Sequence, residues 1–408
     1  MSSEQAERQL ILLSAGTATR RLALRGYAGE LMQQVDWARL IASMRARRLL
    51  GVLGPRISEL AGERANEDFG AVLEQELELE RKHGLYLQLV SQRLLAMLAD
   101  AGIPAAALKG PQLSEAIYGD PGRRVSGDID LLVPARRLHD AAEVVCALGY
   151  GKPTDHLGPE GLPLLHLALA HEHGQLPAVE VHWRIHWYEQ AFARDRLLPP
   201  TADQAPDWRP APADELAALL LFYARDGFVD LRLAADLSAW WDLNSPGFPD
   251  GAIGEVQETY PELSRVLTAA GMAAEKVVGL PASRVLGDKR SAGARERFAA
   301  RLVNPNPRSS RSQLYADMGL IDGLLAPPGG FGAFAGRQLL PPRAVLDEQA
   351  RHGARRRPRS RVARCAGVLG RYALTSARLL RSPETVSSVL PLRTIRSVDG
   401  ESQIRGDL

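Results

Sequence analysis

The sequence predicts a small α/β or α+β unit, a stretch of interleaved strands and helices flanked by helical regions on both sides. Three observations support this. Residues 1 to about 100 are rich in Leu, Ala, Glu and Arg and space their apolar residues at three and four. From about 103 to 187, short apolar runs alternate with helical stretches. Beyond a Pro-rich linker that starts at Pro199-Pro200, helical spacing returns.

In chain order, the N-terminal helical region (1–100) has its clearest helix in AVLEQELELERKHGLYLQLVSQRLLAMLADAGI. There Leu73, Leu77, Leu85, Leu89, Leu94, Met97 and Leu98 recur at helical spacing, and Ala101-Gly102 signals a C-cap. Upstream, GVLGP at 51–55 reads as a break. In region 101–200, IPAAALKG, DIDLLV and AVEVHWRI read as strands, with PQLSEAIYG and ARRLHDAAEVVCALGY as helices between them. Region 201–300 opens in the linker PPTADQAPDWRPAPAD and continues as helices in DELAALLLFYARDGFVDLRLAADLSAWWDL. Region 301–408 is a loop-rich and helical tail with loops at 304–312 and 326–336. Its Arg cluster at 355, 356, 357, 359 and 361 leads into an amphipathic helix, and its polar end reads as frayed.

At roughly 100–200 residues per domain, 408 residues call for more than one unit. A net charge of +2 is too balanced to mark a nucleic-acid binder, although the local Arg cluster leaves RNA open as a partner. Cys146 and Cys365 lie too far apart in sequence to suggest a disulfide framework or thiolate zinc site, and read as reduced thiols of a cytoplasmic protein. The start MSSEQAERQLILL lacks a basic segment before its apolar residues, so no signal peptide is expected. No run of about 18 apolar residues occurs, so no membrane span is expected either.

The chemistry concentrates in LKGPQLSEAIYGDPGRRVSGDIDLLV, residues 108–133. Successive strand side chains alternate in direction, so Asp128 and Asp130 share one face while Ile129, Leu131 and Val133 share the other. Two neighbouring carboxylates repel, and a divalent cation resolves the conflict. Before them, Gly110-Pro111 opens a helix whose free N–H groups suit a phosphate, with Lys109 adding a positive charge. A phosphate-binding helix start beside paired carboxylates asks for a nucleoside triphosphate chelating Mg²⁺. In AVEVHWR, Glu180, His182 and Arg184 fall on one face, so Glu180 can complete a metal site and His182 can look into the same cleft.

The order KG, L, Y, R, GDIDLLV, LGY and VEVHWR resembles an uncharacterised bacterial nucleotidyltransferase family of the DNA polymerase β-like superfamily, most closely over residues 70–190. That resemblance implies a polymerase β-like nucleotidyltransferase domain with a small mixed sheet at 101–200. It implies nucleotide binding by Lys109, Gly110, Arg124, Ser126 and Gly127, and metal binding by Asp128, Asp130 and Glu180. Those three carboxylates and His182 would be the catalytic residues, His182 as a base or as an orienter of the acceptor. Two Mg²⁺ ions, or Mn²⁺, would serve transfer of an NMP from an NTP to a hydroxyl or phosphate, with pyrophosphate leaving. A peptide, small molecule or protein is the preferred acceptor. The usual Gly-Ser of the turn is here Gly110-Pro111, which alters the expected grip on the triphosphate.

Other motifs weigh less. Five histidines (166, 171, 173, 182, 186) crowd one stretch, but HEHG lacks the spacing of a zinc hydrolase helix and HWRIH has no cysteine partners. GFGAFA at 330–335 follows Pro-Pro-Gly rather than a strand, which argues against a dinucleotide fold. Asp226, Asp230 and Asp236 sit in what reads as a helical pair packing on the catalytic unit, with Asp236 a candidate for the acceptor side. The rival reading of the whole chain is a vestigial nucleotide-binding or scaffold protein acting through its helical surfaces and basic tail.

Overall fold

The computed structural model describes residues 1–62, 67–155, 157, 160–287, 292–303, 311–330 and isolated positions up to 377. The Arg cluster, Cys365 and the polar C-terminal end lie outside the described residues. Six helices come first: α1 (Ser3–Ser14), α2 (Ala18–Ala23), α3 (Arg25–Met32), α4 (Trp37–Ala46), α5 (Leu50–Ala61) and the long α6 (Glu67–Asp100). The α+β unit follows as β1 (Ala106–Ala107), α7 (Pro111–Tyr118), β2 (Asp128–Leu132), α8 (Leu138–Cys146), β3 (His166–Leu169) and β4 (Ala178–His182). Helices α9 (Pro212–Arg225), α10 (Leu231–Asn244), α11 (Ala252–Thr259), α12 (Ser264–Val278), α13 (Ala282–Leu286), α14 (Ala294–Arg301) and α15 (Arg311–Leu325) complete the described chain.

The sheet is small and mixed, in the order β1-β2-β4-β3. Strands β2 and β4 run parallel, and the outer pairs are antiparallel. One sheet face is apolar: Ile129, Leu131 and Val133 join Leu167, Leu169, Val179 and Val181 against Leu94, Leu95 and Leu98 of α6 and Ala141 and Val145 of α8. The opposite face looks toward a larger core shared by the N-terminal helices and α9 to α12. That shared core is tied by long-range polar contacts. The Thr17 N–H donates to the carbonyl of Val278, and Arg20 Nη1 donates to that of Lys276, both at the end of α12.

Two local expectations change. GVLGP does not break the chain, because α5 runs through Pro55. The residue before proline is normally pushed out of helical geometry by a clash at its Cβ, and Gly54 has none. A Cβ at Gly54 would in any case collide with Leu73 of α6, so the glycine serves close helix packing as well. Along α6, Leu73, Leu87, Leu94, Leu95 and Leu98 are buried, whereas Leu85 and Leu89 are 44% and 67% exposed. A 34-residue helix crosses two cores in turn, so its buried stripe is interrupted where it bridges them. Although α6 is long, no helix among the described residues is both long and apolar enough to cross a membrane.

Candidate functional site

Register brings the carboxylates together. Asp130 pairs with Glu180 across the parallel β2–β4 ladder, and Glu180 pairs with Ala168 on β3. One row along the strands, Leu132, His182 and His166 are neighbours in the same way. Register partners share a sheet face, so Asp128, Asp130, Glu180, His182 and His166 all stand on the face away from α8. Ala168 and Ala178 are exposed on that face, which leaves it open beside Asp128 and Glu180.

Asp130 is the buried centre of the group. Its Oδ1 accepts from Lys109 Nζ at 3.2 Å and from His182 Nε2 at 3.0 Å, while Oδ2 is buried with no hydrogen-bond partner. Burial alone would raise this carboxyl, but Lys109 and His182 overcome it and hold Asp130 well below the ordinary carboxylate range. Glu180 Oε2 lies 3.2 Å from the same His182 Nε2 and 3.6 Å from His166 Nδ1. Burial pushes Glu180 upward, and the His182 hydrogen bond with the nearby His166 brings it net below its usual value. Since ionised carboxylates only accept, His182 Nε2 bears the proton and shares it between Asp130 and Glu180. His182 is fully buried, with Nδ1 unpartnered. Its Nε2 therefore joins the two carboxylates from the buried side of the cleft.

The turn before the helix is built as a phosphate grip would be. Gly110 adopts φ +83° and ψ −144°, a region essentially closed to residues with a Cβ, and caps α7 without any side-chain bond to its first N–H groups. Ser126 lies beside it: a Cβ on Gly110 would be 3.9 Å from Ser126 Oγ. That hydroxyl is 3.1 Å from Asp128 Oδ1, and the Ser126 carbonyl accepts from His83 Nε2 of α6 at 3.1 Å. The start of α7 and the first aspartate are thus linked through one serine. Lys109 Nζ also stands 5.2 Å from the centroid of Phe222 on α9, fixing the cation from the far side.

Arg124 is not where it was expected. It is 3% exposed, and its Nε donates to Asp236 Oδ2 at 2.6 Å while Tyr118 OH donates to Oδ1 at 2.8 Å. Its backbone N–H donates to Ser114 Oγ on α7. The guanidinium is therefore tied through Nε to Asp236 and fastens the segment before β2 to α10, while Tyr118 links α7 to the same carboxylate; Asp236 is consumed in these contacts rather than lining an acceptor pocket, and Arg124 still borders the cleft beside the turn. Asp230 caps α10 through the Arg232 N–H, and Arg232 Nη1 donates to the carbonyl of Val125 at 2.7 Å.

Two residues absent from the sequence expectation reach the site. Arg48 has φ +53°, an uncommon left-handed conformation for arginine, and its guanidinium stands over Gly127, with Nη1 3.5 Å from where a Cβ would be. Among the described residues it has no carboxylate partner. His166 was noted only as one of a cluster of histidines; the signal that would have placed it is the alternation Leu165, Leu167, Leu169, all buried, which marks β3. A cleft of about 260 Å³ runs beside the turn, lined by Arg45, Arg48, Glu80, His83, Pro111 and Ser126.

Two glycines hold the turn against α6. A Cβ on Gly84 would come within 2.6 Å of Gly122 Cα, so α6 and the segment leading to Asp128 touch backbone to backbone.

Comparison with known proteins agrees with this geometry. Residues 33–275 match the model of a family described as uncharacterised nucleotidyltransferase. No curated protein and no solved structure matches the chain. The match runs from before α4 into α12, takes in the sheet and the helices on both sides, and spans more than half of the 408 residues. On that extent the chain belongs to the uncharacterised nucleotidyltransferase family and is a transferase enzyme.

Proposed function

We propose that the protein moves an NMP from a Mg²⁺-bound NTP to a hydroxyl or phosphate of a small-molecule, peptide or protein acceptor, releasing pyrophosphate. The observation behind this reading is the buried, unpartnered Asp130 Oδ2 in register with Glu180 and joined through Lys109 to the start of α7. An unsatisfied ionised oxygen in such a place fits a cation ligand. Asp128, Asp130 and Glu180 would hold the ion or ions, Mg²⁺ or Mn²⁺, whose chemistry is to neutralise phosphate charge and acidify the acceptor.

The chain's own groups do the rest. The free N–H groups of α7 and the Lys109 ammonium bind the triphosphate, and Arg48 adds a positive charge over Gly127. Ser126 holds Asp128 at the edge of that grip, and His182 keeps Asp130 and Glu180 from separating. Positioning of this kind is the main protein contribution to phosphoryl-group transfer. A reduced thiol at Cys146 agrees with a cytoplasmic setting.

Calorimetric titration with each of the four NTPs, with and without Mg²⁺, tests the reading in wild type and Asp128→Asn. The expected result is Mg²⁺-dependent binding of an NTP that the variant loses. Absence of NTP binding in Mg²⁺, or equal affinity in the variant, overturns it in favour of a scaffold role.

A further inference from the structure

We propose that His166, Glu180, His182 and Asp130 form a mixed nitrogen and oxygen site for one transition-metal ion of the Zn²⁺ type, distinct in donor chemistry from the Mg²⁺–NTP position at Asp128. The argument is geometric. His182 Nε2 lies 3.0 Å from Asp130 Oδ1 and 3.2 Å from Glu180 Oε2, and His166 Nδ1 lies 3.6 Å from that same Glu180 oxygen. The His166, Glu180 and His182 donor atoms all fall within 4.8 Å of one another. A tetrahedral ion with ligands at about 2.0–2.1 Å separates them by about 3.3 Å, and the three spacings straddle that value.

Partner accounting points the same way. His166 Nδ1 is buried without a hydrogen-bond donor or acceptor opposite it, and 3.6 Å is too long for a bond to Glu180. One proton on His182 Nε2 serves two carboxylate oxygens, Asp130 Oδ1, which Lys109 also engages, and Glu180 Oε2. A cation at the meeting point of these lone pairs replaces the shared proton and engages His166.

Donor type selects the ion. Two imidazoles favour Zn²⁺ and its first-row neighbours, whereas Mg²⁺ prefers an all-oxygen shell with several waters. The ligands come from three adjacent strands, β2, β4 and β3, so the ion would also tie edge strand β3 to the strand bearing the aspartate pair. Glu180 would then be shared, Oε2 facing the two histidines and its other oxygen left for the NTP-bound Mg²⁺ with Asp128 and Asp130 Oδ2. This assignment stands on the side-chain geometry alone and does not require that the NTP reading be correct.

The test uses Co²⁺ as a spectroscopic probe on full-length, metal-depleted protein, followed by Zn²⁺ competition. Wild type is expected to bind one Co²⁺ with the intense visible absorption of four-coordinate cobalt, to release it to Zn²⁺, and to keep it in excess Mg²⁺. His166→Ala is expected to bind Co²⁺ at least about 100-fold more weakly. His166 lies part-exposed on an edge strand, so the variant folds, and retained Mg²⁺-dependent NTP binding shows that the nucleotide site is separate. A weak six-coordinate spectrum, displacement by Mg²⁺, or undiminished affinity in His166→Ala overturns the proposal. Absence of Mg²⁺-dependent NTP binding by the wild type with an intact cobalt spectrum overturns the nucleotidyl-transfer reading instead.

Discussion

Asp236→Asn is expected to destabilise the protein by about 3–5 kcal/mol, a large change for an isosteric substitution. Asp236 is fully buried and serves two donors, Arg124 Nε at 2.6 Å and Tyr118 OH at 2.8 Å. At an effective dielectric of about 20, opposite charges some 4 Å apart attract by about 4 kcal/mol, and the amide loses that term. The guanidinium left behind is 3% exposed and borders only the cleft beside the turn. Against a typical total stability of about 5–15 kcal/mol, such a loss is easily read. In urea, with a slope of roughly 3 kcal/mol/M, the midpoint should fall by about 1–1.7 M. The pair Arg124→Met with Asp236→Leu removes both charges and should return to within about 2 kcal/mol of wild type, because the desolvation of both ions is avoided. A loss below about 1 kcal/mol in Asp236→Asn, or a double variant as unstable as the single, would refute the claim that a buried ion pair fastens the segment before β2 to α10.

Gly110→Ala forces a Cβ into φ +83°, so a stability loss of about 1–3 kcal/mol together with weaker NTP binding is expected by thermal denaturation and calorimetry; unchanged values would mean that the turn is not constrained as described. Arg48→Ala should weaken Mg²⁺-dependent NTP binding about 10-fold without lowering the urea midpoint, and equal affinity would remove Arg48 from the phosphate grip. Gly84→Ala inserts a methyl against Gly122 and should cost about 1–3 kcal/mol, checked by the same unfolding curves. Glu80 gives a pH signature: burial, with Glu76 adding to it, pushes its carboxyl up to about 8, so the folded state holds a proton that the unfolded chain releases nearer the ordinary glutamate value of 4.5. Stability therefore falls as pH rises between those values, and Glu80→Gln should flatten that fall by about 1–2 kcal/mol after allowance for solvent screening; identical slopes in variant and wild type would contradict it.

How much of this was legible in the sequence depends on the reach of each interaction. The phase of Asp128, Asp130 and Glu180 follows from the two-residue period of a strand, which is local, and it matches the faces the structure gives them. Pro111 at the first position of α7 is local in the same sense. Arg124 shows the limit: beside a D-x-D pair it reads as a phosphate ligand, but its partner lies 112 positions later on α10. Strand β3 escaped because four residues give too little alternation to stand out beside a histidine-rich run, and His166 gains its meaning only when the antiparallel register sets it next to His182. The GVLGP segment misled for a different reason. Glycine there marks close packing against α6, and the sequence alone does not distinguish a glycine that frees the backbone from one that makes room for a neighbour.

These contacts bear on whether the catalytic unit could stand apart from its helical flanks. Helix α6 covers the apolar sheet face through Leu94, Leu95 and Leu98, and near its middle Gly84 and His83 grip the segment that delivers Asp128. From the other side, Phe222 of α9 backs Lys109, and Asp236 of α10 neutralises Arg124. Arg48, from the link between α4 and α5, supplies the remaining charge over Gly127. Lys109, Ser126 and Gly127 of the phosphate grip are thus each held or complemented by a side chain from outside residues 101–200. A sheet of four strands, one of them only two residues long, has little means of fixing a buried carboxylate beside two half-buried ones by itself. The helices are therefore part of the site's electrostatics, which accounts physically for a family match that reaches from residue 33 to residue 275 rather than stopping at the sheet.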